Sequence, residues 1–456
     1  MTRWPSRALW LLRASVAGLG GALVRAVRRL LRLPPRIWHG FLPLHMTPGQ
    51  VRADRLAGYP SRSVVKHSAP VPYALVRDGD FDRVIDSKET RRDDTHWVCL
   101  LDLVRHGDVW IASFDCHFFR IDQLSFNRLV FWFLRIVGIR IIVAPHGGDV
   151  IHQDRFVTRY EWTARYKKDY PNWEGREQRE TAQLRITLFC NWANLLIGAD
   201  SALARFLPRN DLLFKYFPVD CERLRPLATS VNPRPVIAHA PNHRLTKGTD
   251  YLLHSVENLQ RCGIDVQLNL VENVSHEEAL RRYRDADIIA DQFCIGAFGM
   301  FALEGLALGK PVLTYLDQEH LGDPVFNLPL VNTNADNMDQ VLAALLLVPE
   351  LRERLGRAGR ESVEKYQSIP ALAEVWDRIY RHVWWGEPLN LETTAHFSPE
   401  RKPRSFTEDP SRADFWPVPV EDLLPDIHVA LGRAGFVFGA TSGQSASDAN
   451  GGRSPA

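Results

Sequence analysis

Two cationic side chains lie in a predicted strand-to-helix turn, His239-Ala-Pro-Asn-His-Arg-Leu-Thr-Lys-Gly-Thr249. They are Arg244 and Lys247, and Gly248 follows them directly. Backbone amides at the start of a helix, together with neighbouring cations, bind phosphate oxygens. The turn therefore predicts a site for a diphosphate, although a solvated loop with incidental cations fits the same residues.

A second candidate segment is Gly296-Ala-Phe-Gly-Met-Phe-Ala-Leu-Glu-Gly-Leu-Ala-Leu-Gly-Lys-Pro-Val312. Gly296 and Gly299 would allow the backbone to approach a ligand just before a helix predicted over 299–308. Glu304 lies in that helix among apolar neighbours. A carboxylate accepts two hydrogen bonds at once, which suits the vicinal hydroxyls of a ribose. The alternative is a surface charge, but an unpaired acid among buried neighbours is costly.

The elements that must position these residues form two similar halves. Short apolar runs alternate with helical patterns on both sides of 218–235, a stretch with four prolines (Pro218, Pro226, Pro233, Pro235). This alternation is typical of parallel sheets covered by helices. We expect an α/β fold with two facing Rossmann-like domains and a ligand cleft between them, where the carboxyl ends of the strands converge.

The predicted division of the chain has six parts. They are a basic amphipathic arm (1–45), an N-terminal Rossmann-like domain (46–217), a linker (218–235), a C-terminal Rossmann-like domain (236–370), a helix crossing back to the N-terminal domain (371–386) and an irregular or disordered tail (387–456).

Charge in this chain is concentrated at one end. Residues 1–40 carry eight arginines and no acidic residue, so the net charge of +2 leaves −6 (+2 − 8) for the remainder. A nucleic-acid enzyme needs basic surface near its site, which the body of the chain does not offer in sequence. The six cysteines contain no CxxC pair, which indicates reduced thiols and a cytoplasmic protein.

The N-terminal arm is predicted to lie on an anionic membrane surface. Only 11 uncharged residues separate Arg13 from Arg25, whereas a spanning helix needs about 20 apolar residues. Arg25, Arg28 and Arg29 follow at helical spacing, which is typical of a helix lying on anionic lipid. An ordinary or disordered arm and a secretion or insertion signal are the alternatives. The protein would then be peripheral at the inner face of the membrane.

The motifs resemble those of glycosyltransferases with two Rossmann domains, the glycosyltransferase B fold, and of family 4 in particular. That family has an Arg and a Lys-Gly after the first strand of its C-terminal domain, and then a Phe-Gly-x-x-x-x-Glu-x-x-Ala-x-Gly-x-Pro-Val block, matched here at 298–312. His146-Gly-Gly-Asp149 matches its His-Gly-x-Asp turn. Asn194 to Ser201 and Phe217-Pro-Val-Asp220 are similar to its later motifs. The resemblance covers 100–384 and is strongest over 236–316.

The resemblance implies a retaining hexosyltransferase that moves a sugar from a nucleotide diphosphate sugar to a glycan or lipid-linked acceptor, in surface polysaccharide or glycolipid assembly. His146 would lie near the reacting carbon, with Asp149 on the acceptor side. Asp291 and Gln292 would either contact the donor sugar or cap the next turn. The donor would be bound by the cationic turn and the glycine segment, through Arg244, Lys247, Gly248, Gly296, Phe298, Gly299, Met300 and Glu304.

The resemblance also implies that no metal and no cofactor is needed, because in members of the family a Lys–Arg pair and a helix N-terminus neutralise the leaving diphosphate. His146 and Asp149 have no third metal ligand at suitable spacing.

One departure from the family limits these expectations. Family 4 enzymes usually carry two glutamates eight positions apart, the first contacting the donor sugar, and that first position is Gly296 here. The identity of the sugar therefore stays open. Two alternatives also stay open: a nucleotide-sugar epimerase on the same fold, and a non-catalytic protein that only binds nucleotide sugars.

Overall fold

The computed structural model describes residues 4–42, 44–67, 80–86, 95–116, 118, 124–151, 162–169, 175–227, 232–317, 328–394, 397 and 416–417. Most of the predicted tail, 387–456, lies outside these residues. The two predicted Rossmann-like domains are confirmed, each built on one parallel sheet with helices against it.

The first sheet has six parallel strands in the order β3-β2-β1-β4-β5-β6. The strands are β1 (Ile37–Phe41), β2 (Ser61–His67), β3 (Arg83–Asp86), β4 (Val109–Ala112), β5 (Arg140–Val143) and β6 (Leu195–Leu196). Ile37 pairs with Val109 and Val109 with Arg140, so β1, β4 and β5 end close together. Strand β4 is buried on both faces, which explains its unbroken apolar sequence.

Seven helices accompany this sheet in the described chain before the second domain begins. They are α1 (Trp4–Leu30), α2 (Met46–Leu56), α3 (Thr95–His106), α4 (Leu124–Ile136), α5 (Trp162–Asp169), α6 (Gly175–Trp192) and α7 (Ser201–Ala204). The core between sheet and helices is aromatic: Trp110 lies 5.0 Å from Phe118, 5.8 Å from Phe131 and 6.0 Å from Phe189 between ring centroids.

The second sheet has five parallel strands in the order β11-β10-β9-β7-β8. They are β7 (Val236–His239), β8 (Gln267–Leu270), β9 (Ile288–Ala290), β10 (Val312–Thr314) and β11 (Val331–Asn332). The helices of this half are α8 (Arg244–Lys247), α9 (Thr249–Arg261), α10 (His276–Asp285), α11 (Met300–Ala307), α12 (Met338–Leu347) and α13 (Pro349–Tyr366).

Helix α14 (Ile369–Trp385) follows the second domain in the chain but packs on the first. The Tyr380 hydroxyl donates to Asp54 Oδ1 at 2.7 Å, and the Tyr59 hydroxyl donates to Asp377 Oδ1 at 2.7 Å. Trp376 is fully buried in the same cluster. This helix therefore ties the end of the C-terminal half to the N-terminal domain.

The start of the chain differs from the predicted arm. Strand β1 lies in the middle of the first sheet although it falls within 1–45, so this part of the segment belongs to the domain core. Arg25 is 1% exposed and donates to Val137 O at 2.6 Å and to Val104 O at 3.0 Å. Arg28 pairs with Asp108 at 3.2 Å, and the Arg29 guanidinium lies 4.1 Å from the Trp384 ring. These arginines face the protein, because carbonyls, a carboxylate and an aromatic ring surround them there.

The two domains contact each other through α5. Arg165 donates to the Asp250 carboxylate at 2.8 and 3.0 Å and lies 4.4 Å from the Tyr251 ring. Asp169 accepts from the Thr246 amide at 2.7 Å. Helix α5 of the first half is thus seated on α8, the cationic turn of the second half.

Candidate active site

The cationic turn packs against the chain that follows β9. Gly248 has φ +75°, and a Cβ there would lie 3.0 Å from Cys294 Sγ and 3.0 Å from Phe293 Cβ. The Phe293 amide donates to Lys247 O at 2.9 Å. His239 supports the turn from below, through hydrogen bonds of 2.7 Å to Ala290 O and 2.8 Å to Thr249 Oγ1. Only glycine fits at position 248, because its backbone is left-handed and Phe293 and Cys294 fill the space that a side chain would need.

Lys247 and the start of α11 converge on one place. Lys247 Nζ donates to Gln292 Oε1. The neighbouring Asp291 carboxylate accepts from the Gly299 amide at 3.0 Å. Burial lowers the pKa of Lys247 and raises that of Asp291, while each charge favours the other. The ammonium and the first amides of α11 therefore create a positive environment that already holds one carboxylate.

Asp291 and Gln292 hold this arrangement together. Asp291 is 2% exposed and caps the Gly299 amide, and Gln292 also donates to Ala297 O. Two roles are predicted for these residues, a contact with the donor sugar and a cap of the next turn. The hydrogen bonds in the structure are of the capping kind, and both side chains are buried. These contacts orient the glycine segment.

Arg244 does not join Lys247 in this structure. Its guanidinium donates to both Glu272 oxygens, at 2.9 and 2.5 Å, on an exposed part of the turn. The ion pair raises the pKa of Arg244 and lowers that of Glu272. The sequence predicts two cations at one point, and the structure places one of them there.

A second buried cation, Lys215, was missed by sequence reasoning. Its Nζ donates to Asp200 Oδ2 at 2.8 Å and lies 4.5 Å from the Phe298 ring centroid. Its charge also lowers the pKa of Lys247, so the two ammonium groups are near each other. Asp200 falls in the passage from Asn194 to Ser201 and Lys215 comes shortly before Pro218. The sequence therefore identifies the two segments, but nothing in it indicates that the side chains of Lys215 and Asp200 form a pair.

Glu304 faces the groove between the domains. It is 8% exposed, and Oε1 forms a 2.8 Å hydrogen bond with His276 Nε2. The groove has a volume of about 400 Å³ and is lined from the first domain by His45 and Arg52 and from the second by Met300 and Glu304, among others. This is the size of a ligand site. His276 is the first residue of α10, whose N-cap is Ser275.

The backbone at Gly296 does not accommodate a side chain without strain. Its φ is +82°, and a Cβ there would lie 2.9 Å from Asp317 Cβ. The Asp317 amide donates to Gly296 O at 2.9 Å. The half-buried carboxylate of Asp317, which follows β10, therefore lies beside Gly296. Its Oδ2 would be 3.6 Å from a Cβ added to that glycine. Nothing in the local sequence links residues 296 and 317.

On the opposite domain, His146 follows β5 and is paired with two acids. Its Nε2 lies 3.4 Å from Asp115 Oδ2 and 3.8 Å from Asp149 Oδ2. Burial disfavours a charge on the ring, but Asp149 and Asp115 outweigh it and raise the pKa of His146 to about 9. Arg185 in turn holds Asp115 at 3.1 Å. The imidazole is therefore a cationic donor at neutral pH.

Asp149, predicted on the acceptor side, is held by backbone amides. It is fully buried, and its carboxylate accepts from the amides of Phe114 at 3.1 Å and of His146 and Gly147 at 3.0 Å. Three amides fix the carboxylate inside the turn, so it orients His146. A small pocket at the carboxyl ends of β1, β4 and β5 is lined by largely buried residues and by the exposed His146: His39, Gly40, Ser113, Cys116 and Pro145. Strand order reverses between β1 and β4, where α/β folds bind ligands.

Comparisons with known proteins find relatives by structure. No family model matches the chain, and no curated protein matches it. Sucrose-phosphate synthase from Thermosynechococcus elongatus is 14% identical with a TM-score of 0.52, over 77% of this chain and 100% of that chain. The catalytic domain of starch synthase IV from Arabidopsis thaliana, bound to ADP and acarbose, is 10% identical with a TM-score of 0.46, over 77% and 99%. From the two sheets and the first of these likenesses, we conclude that the chain has the glycosyltransferase B fold.

Proposed function

We propose that this protein is a glycosyltransferase that takes a sugar from a nucleotide diphosphate sugar. The observation that carries the proposal is that Lys247 and the N-cap residue of α11, Gly299, bind the neighbouring side chains Gln292 and Asp291. Glu304 of the same helix faces the interdomain groove. A diphosphate would lie against the cation and the helix start. The ribose would lie beside Glu304, whose carboxylate can accept from vicinal hydroxyls.

The proposed reaction is a retaining hexosyl transfer of family 4 type to a glycan or lipid-linked acceptor. The bond from the anomeric carbon to the diphosphate oxygen breaks, and the acceptor oxygen bonds to that carbon on the same face. The acceptor proton passes to the departing diphosphate oxygen. Lys247, Lys215 and the α11 amides would stabilise the charge on the leaving group without a metal. The His146 imidazolium would donate a hydrogen bond to the sugar.

The donor-sugar contact is proposed to come from Asp317. Its carboxylate lies beside Gly296, where family 4 enzymes carry their first glutamate. A change of Asp317 to Asn should then alter the ranking of nucleotide sugars as donors while leaving the binding of the nucleoside diphosphate unchanged. The acceptor is proposed to belong to surface polysaccharide or glycolipid assembly.

The test begins with a thermal-shift panel of nucleoside diphosphates and nucleotide sugars, since a ligand that binds the folded state alone raises its stability. Lys247→Ala should weaken binding of the best ligand by at least about tenfold, because a charge-assisted contact to phosphate is lost. Lys365→Ala, on the exposed face of α13, is the matched control and should bind normally. Equal binding by both variants would refute the role of Lys247.

Product analysis separates the three functions. Transfer to an added glycan or lipid-linked acceptor supports the proposal. Conversion of the donor to its epimer without acceptor would establish the epimerase, and binding without turnover of any donor would establish the non-catalytic protein.

A further inference from the structure

Helix α1 is attached to the first domain by a glycine, a tryptophan and an arginine. A Cβ on Gly18 would lie 2.6 Å from Phe133 Cζ, so α1 and α4 touch there. Trp10 stacks on Trp97 of α3 with centroids 6.4 Å apart. Arg25 donates to the carbonyls of Val104, Gly107 and Val137, at the C-terminal ends of α3 and α4. These contacts determine which side of α1 faces outward.

The outward side of α1 is an apolar stripe. Five residues at helical spacing are between 60% and 82% exposed: Leu12, Val16, Leu19, Leu23 and Leu30. At 1.5 Å per residue the stripe is about 27 Å long. On α4, Leu129, Trp132 and Ile136 are each more than half exposed and also share one helix face. The two helices are in contact at Gly18 and Phe133, and soluble proteins rarely leave extended apolar surface uncovered.

The charged residues of these two helices are all basic. Neither α1 nor α4 contains an acidic residue. Exposed arginines accompany the apolar residues on both helices: Arg13, Arg128 and Arg135. Arg32, just past α1, pairs with Glu387 at 3.2 Å. In a twofold dimer through this face, the arginines of one copy would approach those of the other. Anionic headgroups would instead complement them.

We infer that the outer face of α1 and α4 binds the surface of an anionic lipid bilayer. By length and composition Leu9–Leu30 could also cross a membrane. The opposite side of α1, however, is already bound to protein carbonyls, and Arg25 would lose these partners in a span. The helix therefore lies in the interface with its leucines among the acyl chains. This inference does not depend on the proposed sugar transfer.

The experiment is co-sedimentation of the full chain with phosphatidylcholine vesicles that contain or lack phosphatidylglycerol. We expect binding to the anionic vesicles that weakens as salt is added. The double variant Leu19→Glu, Leu23→Glu should lose binding by at least about tenfold, because two apolar contacts are replaced by charges repelled by the lipid. Trp132→Glu tests α4 separately. Leu227→Glu, at a leucine that is 56% exposed and lies outside both helices, is the control.

Three results would overturn the inference. One is unchanged vesicle binding by the double variant, and another is equal binding of the wild type to neutral and anionic vesicles. The third is a lipid-free dimer, measured by light scattering, that the double variant dissociates. The melting temperature without ligand is measured for every variant, and an unchanged value shows that the fold is intact. The thermal shift with nucleoside diphosphates is measured beside it and reports separately on the proposed active site.

Discussion

At the scale of single residues, Glu304 combines burial with a place in the interdomain groove. One of its oxygens is bound to His276, and a ribose would add hydrogen bonds to the same carboxylate. We predict that the wild type binds a nucleoside diphosphate at least about tenfold more tightly than its 2′,3′-dideoxy analogue, since hydrogen bonds to charged groups contribute about 1.5–3 kcal/mol. Calorimetric titration measures both ligands.

The variant Glu304→Ala should bind the two nucleotides almost equally. Glu277→Ala, an exposed acid on α10, should keep the wild-type preference. A preference that survives in Glu304→Ala would show that the ribose is bound elsewhere.

His146 is the residue with the clearest dependence on pH. Its native pKa is raised from the ordinary 6.5 to about 9, so the folded state binds the proton more tightly than the unfolded state. The stabilisation is fully present below about pH 6.5 and is lost as the pH rises through about 9. We predict that the difference in unfolding free energy between wild type and His146→Gln shrinks over this interval. Urea unfolding at several pH values measures it.

Asp115→Asn is the companion variant for this prediction. Removing one of the two carboxylates that raise the pKa should move the loss of stability to lower pH. A difference between wild type and His146→Gln that does not change with pH would contradict the assignment of a charged imidazole.

At the scale of elements, the loop between β9 and α11 depends on an unusual backbone at Gly296. A side chain there meets both a left-handed φ and Asp317. We predict that Gly296→Ala lowers the free energy of unfolding by more than about 1 kcal/mol, and that Gly296→Glu lowers it further without improving activity. Denaturant unfolding and donor turnover measure the two effects.

Gly263→Ala is the matched control for strain alone. Gly263 has φ +84° but no atom within 4 Å of the added Cβ. Its alanine variant should therefore lose less stability than Gly296→Ala. Equal losses would mean that the contact with Asp317 costs nothing.

At the scale of the whole molecule, α5 links the N-terminal domain to the turn that carries Lys247. Arg165 provides most of this link, through Asp250, Leu245 O and the Tyr251 ring. We predict that Arg165→Ala increases amide hydrogen exchange over 244–250 and raises the KM for the donor severalfold, because the turn loses its support from the other domain. The exposed Lys168 on the same helix gives the control variant Lys168→Ala. Unchanged exchange in Arg165→Ala would exclude this coupling.

Much of the architecture follows from local patterns. Buried parallel strands are apolar along their whole length, so the apolar runs at Val109–Ala112 and Ile288–Ala290 can be predicted as strands from the sequence. The cationic turn and the Phe298–Val312 block are each one continuous segment, so the residues within each segment must lie close together in the fold. The sequence by itself therefore determined two Rossmann-like halves and the segments that meet in the cleft.

Contacts between distant segments were decided only by the tertiary structure. Three contacts in the site join segments that are separated in sequence, and no spacing rule predicts them. They are Lys215 with Phe298, Asp317 with Gly296, and Asp115 with His146. The same holds for α1: a helix with arginines on one side and leucines on the other can present either to its domain. Carbonyls at the ends of α3 and α4, some 80 to 110 residues away in sequence, bind the arginines and leave the leucines outside.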